Sequence, residues 1–100
     1  MQSPLYTLPM IRSFRSRALA AFWNRDDASK IRPDLVERVQ VRLDALHAAR
    51  RPEDMSLPGF DFHRPRGKPV RYTVHVNGPW TITFGWDVED ATGVDLEQYH

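Results

Sequence analysis

The sequence predicts a small α+β domain: an antiparallel sheet of an N-terminal strand plus three or four C-terminal strands, covered on one face by two helices. Three observations predict it. One hundred residues suit one domain and leave little room for a second. Apolar residues recur at helical spacing through residues 17–49. After Gly59 the apolar period switches to two. Composition agrees, since 41% hydrophobic and 27% charged residues suit a globular chain rather than a disordered one.

Met1 to Pro9 carries Pro4 and Pro9 and shows no sustained period. It reads as an N-terminal extension (residues 1–9) ahead of the domain proper (residues 10–100), with Met10 an alternative start. Ile11-Arg12-Ser13-Phe14-Arg15 alternates apolar and polar, as a half-buried strand does. Arg17 to Arg25 places Leu19, Phe22 and Trp23 on one helical stripe. A polar loop, Asp26 to Arg32, follows. The second helix opens on Pro33, with Asp34 and Glu37 in its first turn where acids favour the helix dipole. Leu35, Val39, Leu43 and Leu46 form its apolar face, widened by Val36 and Ala49. Arg50 and Arg51 fall at its end, and Pro52 stops it. Arg38, Arg42 and Asp44 lie on the opposite, solvated face.

A connector leads to the turn signal Pro58-Gly59. Phe60 and Phe62 then face one way, Asp61 and His63 the other. A loop rich in proline and basic residues runs through Pro65, Gly67 and Pro69. Tyr72, Val74 and Val76 alternate with Thr73 and His75. Asn77-Gly78-Pro79 is a hairpin turn. Trp80, Ile82, Phe84 and Trp86 share one face of the next strand, with Thr81, Thr83 and Gly85 on the other. Asp87 to Gly93 reads as a second polar turn, and Val94 and Leu96 close the sheet. The helices are expected on the apolar face, which leaves the other face free for function.

No cysteine is present, so a disulfide framework and a thiolate zinc site are excluded. No apolar run approaches the roughly 18 residues of a membrane span. The N-terminus lacks the pattern of a signal peptide, so cytoplasm is the expected compartment and no membrane is an expected partner. The net charge of +1 hides an asymmetry. All 14 Lys and Arg lie at or before Arg71, while five acids and no Lys or Arg follow it. A basic surface beside an acidic one suits a polyanion on one side and a basic partner on the other.

The chemistry-bearing cluster is His63, Arg64, Arg66, Lys68, Arg71 and His75. Cations beside imidazoles grip phosphate and exchange protons near neutral pH. Arginine suits a phosphoryl group because its planar fork donates two parallel hydrogen bonds. RNA carries its own nucleophile, the 2′-hydroxyl. Cleavage then needs a base, an acid and phosphate clamps, and no cofactor or metal. His63, Tyr99 and His100 are the candidate proton-transfer groups; Arg64, Arg66, Lys68 and Arg71 are the candidate phosphate clamps. The plainer reading of the cluster is a solvated basic loop. A zinc site from His63, His75 and His100 lacks motif spacing, and His47 near the helix C-terminus serves the dipole.

The residues also carry a family pattern. Met10-Ile11-Arg12-Ser13-Phe14, Leu43-Asp44-Ala45-Leu46, Leu57-Pro58-Gly59 and Phe62-His63 occur in order. Val76-Asn77-Gly78-Pro79-Trp80, Ile82-Thr83-Phe84 and the closing Tyr99-His100 complete the series. Together they resemble the HigB toxins, a branch of the RelE superfamily of bacterial type II toxin–antitoxin systems. The resemblance runs from about Met10 to His100. It implies a RelE-like fold and a metal-independent endoribonuclease, an mRNA interferase. Such a toxin enters the ribosomal A site and cuts mRNA through the 2′-hydroxyl. Its partners would be the ribosome, mRNA and a HigA-type helix-turn-helix antitoxin.

The family's histidine maps to His63, its next basic residue to Arg66, and its terminal pair to Tyr99 and His100. The chain departs from the pattern in three places. Thr81 stands where many relatives place an arginine, Gln98 where many place an aspartate, and the loop from Gly67 to Arg71 is one residue shorter. These departures motivate a second reading, a weakened toxin acting mainly through antitoxin binding and operon regulation. A gyrase-poisoning toxin is a third, because the same superfold carries that activity. The acidic C-terminal third and helical Arg38 and Arg42 are the candidate antitoxin surfaces.

Overall fold

In the computed structural model, which describes residues 10–64 and 67–98, Ser16 starts the first helix. Its hydroxyl accepts from the Leu19 amide at 3.0 Å, satisfying one of the orphan donors of helix α1, Arg17–Arg25. Asp26 ends α1 in the left-handed conformation, with φ 56°. Leu19, Ala21 and Phe22 are its buried residues. The extension predicted at residues 1–9 lies outside the described residues.

Pro33 opens a short 3-10 turn, Pro33–Leu35, that runs directly into helix α2, Val36–Ala48. Leu35, Val39, Leu43 and Leu46 are buried, as their spacing predicts. Arg42 corrects the expected solvated face, because it is only 6% exposed. It falls three residues after Val39 and four before Leu46, on the same stripe. Its charge is met by backbone carbonyls: Nε donates to His75 O at 2.6 Å, Nη1 to Arg38 O at 3.1 Å and Nη2 to Gly59 O at 3.2 Å. The guanidinium also lies 4.6 Å from the centroid of the Phe60 ring. Burial is the main cause that lowers its pKa from the usual arginine value, with Arg38 adding to it. Arg42 is therefore withdrawn as an antitoxin surface, whereas Arg38 is exposed.

Strands β1 (Tyr72–Asn77), β2 (Trp80–Asp87) and β3 (Asp90–Gln98) form an antiparallel sheet in the order β1-β2-β3. Gly78 takes φ 55° in the first hairpin, a conformation glycine adopts without strain. β3 begins at Asp90, not near Val94 as the polar run suggested. Asp90 is buried and bonded to Arg12, so its acidity marks an ion pair rather than a loop. Val74, Val76, Ile82, Phe84 and Val94 join the helix residues in one core.

The outer strands are reduced to bridges. Ile11 and Phe14 pair in parallel with Ala91 and Val94 on β3. Their backbone bonds include Arg12 N to Ala91 O at 2.8 Å and Arg15 N to Val94 O at 2.9 Å. Arg12 also donates to Asp87 at 2.6 Å, clasping the segment to the β2–β3 turn. At the other edge His63 pairs antiparallel with Thr73 on β1. Among the described residues, no helix is long and apolar enough to cross a membrane.

Candidate functional site

Two chain segments make the walls of the site. His63 N donates to Thr73 O and Thr73 N to His63 O, both at 2.9 Å. His75 N donates to Phe60 O at 2.6 Å. Phe60 is buried and Phe62 half-buried, while Asp61, at φ 47°, and His63 are exposed. Phe62 stacks on Tyr72 with ring centroids 5.8 Å apart, which holds the stretch against β1. Arg42 bonds Gly59 O and His75 O, so helix α2 ties the two segments together from below.

Between them lies a cavity of about 310 Å³. Asp61, His63 and Arg64 line one side, and Thr73, His75, Gly78 and Thr81 the other. His63 Nε2 lies 3.1 Å from Asp61 Oδ1. His75 Nε2 lies 3.0 Å from Gly78 O, a carbonyl that can only accept, which places the proton on Nε2. The Arg64 guanidinium sits 6.0 Å from the Tyr72 ring centroid. Thr81 donates to Glu97 O at 3.3 Å. The cavity thus holds two imidazoles, a guanidinium, a carboxylate and two hydroxyls.

The site residues expected from sequence divide into groups. His63 and Arg64 meet in the cavity. Lys68 is exposed on the following loop. Arg71 lies elsewhere on the open face, where Nη2 donates to Thr83 Oγ1 at 2.9 Å and Gly93 O at 2.8 Å. Gly93, at φ 55°, leaves it room; a Cβ there would stand 3.2 Å from Nη1. Burial lowers the Arg71 pKa, Arg15 adds to the effect, and Glu97 and Asp95 oppose it. Arg66, Tyr99 and His100 lie outside the described residues. Among the described residues, no group of three or more His, Asp or Glu is placed to hold a metal ion.

The sequence placed His75 in the basic cluster but not among the proton-transfer candidates, and gave no sign that Asp61, Thr73 and Thr81 line the same cavity. The spacing of Thr73 to His75 was a readable sign that this pair shares a strand face. What the sequence lacked was the pairing of His63 with Thr73, which joins the two segments.

The fold and this set of groups define a small α+β protein whose sheet presents a cavity equipped for anion contact and proton transfer. Residues 12–100 match the family described as RelE-like toxin of type II toxin-antitoxin system HigB, and the chain belongs to that family. The Endoribonuclease HigB of Proteus vulgaris is 27% identical over 92 residues, which cover 91% of this chain and 100% of that relative. Membership implies an antitoxin as partner.

Proposed function

We propose that the chain is an mRNA endoribonuclease that works on the translating ribosome, cutting in the A site through the 2′-hydroxyl of the RNA. The observation that carries this is the meeting of His63, His75 and Arg64 in one cavity. The likeness to a relative named for endoribonuclease activity supports it over gyrase poisoning or a purely regulatory role.

In the reaction, a base removes the 2′-hydroxyl proton and the 2′-oxygen attacks the neighbouring phosphorus. The bond from phosphorus to the 5′-oxygen breaks, and an acid returns a proton to that oxygen. The products are a 2′,3′-cyclic phosphate and a 5′-hydroxyl. Because the nucleophile belongs to the RNA, the proton transfers and charge stabilisation can come from side chains without a metal. His63 is the base or acid within the cavity, and Tyr99 and His100 are the further proton-transfer groups. Arg64, which lines the cavity with the imidazoles, is a phosphate clamp, and Arg66, Lys68 and Arg71 are the further candidate clamps. Thr81 lines the cavity at the position where the family pattern often has an arginine, so Arg64 bears more of the phosphate contact.

The antitoxin is of the HigA type, a helix-turn-helix protein, and the site of action is the cytoplasm, where ribosomes are. Exposed Arg38 on α2 and the acidic β2–β3 turn with Asp87 and Glu89 are the surfaces offered to it. Inducing the chain in bacteria without its antitoxin should stop growth and create new mRNA 5′ ends inside codons. Arrested cells whose transcripts remain intact would overturn the proposal.

A further inference from the structure

We propose that Asp61 is a positioning residue for His63, holding the imidazole by Nε2 so that Nδ1 is the nitrogen left for proton transfer; this rests on the ribonuclease reading of the cavity. Asp61 Oδ1 lies 3.1 Å from His63 Nε2, and both residues line the cavity. A carboxylate this close to one ring nitrogen attracts a proton to it by charge, as an ion-pair contact rather than an aligned hydrogen bond.

The backbone brings the two groups together. Asp61 takes φ 47°, in the left-handed region that aspartate tolerates better than most side chains. Glycine would meet the backbone requirement with less strain. The carboxylate is what glycine would lack. Buried Phe60 on one side and the His63–Thr73 bridge on the other fix this short stretch. Among the described residues, the ionic partner of Asp61 is His63.

Both partners are largely exposed, so the pair adds little to stability. Its effect belongs to orientation, and it strengthens when RNA covers the cavity and lowers the local dielectric. A purely electrostatic role predicts the opposite result. An acid in a cavity that receives phosphate repels RNA, so its removal would tighten binding and leave the chemical step alone.

Two variants separate these outcomes. Asp61→Gly removes the carboxylate and keeps the backbone unstrained, whereas Asp61→Asn keeps a neutral acceptor. Single-turnover cleavage on programmed ribosomes gives the rate of the chemical step and the half-saturating concentration. Asp61→Gly should slow the step about tenfold or more with no weakening of half-saturation. Asp61→Asn, whose amide can also donate to the ring, should recover only a small part of the rate. An unchanged rate in Asp61→Gly overturns the proposal. If the parent chain cuts no mRNA, the ribonuclease reading falls, and positioning is then read in the free protein. There, ¹⁵N spectra of labelled histidine should show His63 held in the Nε2–H form, shifting toward a mixture in Asp61→Gly. The same mixture in both proteins also overturns the proposal.

Discussion

Arg42 and Arg64 are both arginines near the cavity, yet they do different work. Arg42 is buried and gives its donors to carbonyls of Arg38, Gly59 and His75. Replacing it with methionine keeps much of the stem volume and leaves those carbonyls without their donor. Arg42→Met should cost about 2–4 kcal/mol in a urea unfolding curve. Arg64 is exposed and lines the cavity, so its removal should spare the fold. Arg64→Ala should lower kcat/KM for mRNA cleavage by about tenfold to a hundredfold, with the melting temperature nearly unchanged. The sequence could not separate the two. Arg42 looked like one more polar residue on a helix because two of its three acceptors, Gly59 O and His75 O, come from a turn and a strand far along the chain. His75 stood outside the proton-transfer candidates because no family motif includes it, and it joins the cavity through the pairing of Thr73 with His63.

The joints between elements are set by short polar contacts, and these respond to acid. Asp54, in the 3-10 turn Pro52–Met55, accepts from the Arg50 amide at 2.9 Å just after α2. That backbone bond, aided by Arg51, lowers its pKa from the ordinary aspartate value. Asp27, after α1, is lowered mainly by the Ser29 hydroxyl. A depressed folded value means the stabilisation is present above the unfolded pKa and is lost as pH falls through the folded one. Melting temperature should therefore fall as pH drops below about 4, and Asp54→Asn should flatten that dependence. An acid limb identical in the variant would show that Asp54 contributes nothing to the acid sensitivity. Element positions were largely legible: the spacing of Leu19 and Phe22 gives α1, and the leucine series gives α2. The start of β3 was not, because Asp87, Glu89 and Asp90 resemble a loop until Arg12 is seen between Asp87 and Asp90.

Helices lie on one face of the sheet and the cavity opens on the other. α2 supports the cavity through Arg42, and the N-terminal segment clasps the far edge of the sheet through Arg12. The α+β class followed from the switch of period from helical to two after Gly59, and the open face from alternation, because period-two strands leave a polar side once helices cover the apolar one. The position of the site on that face needed the fold, since its walls come from segments separated by the basic loop. The most direct measurement is primer extension, with analysis of RNA ends, after adding the purified chain to a reconstituted translation reaction. Cleavage within codons is expected only while ribosomes translate, leaving 2′,3′-cyclic phosphates, and His63→Gln should nearly abolish it. Intact mRNA with the parent chain, or equal cleavage by His63→Gln, would contradict the assignment of the cavity as a ribonuclease site.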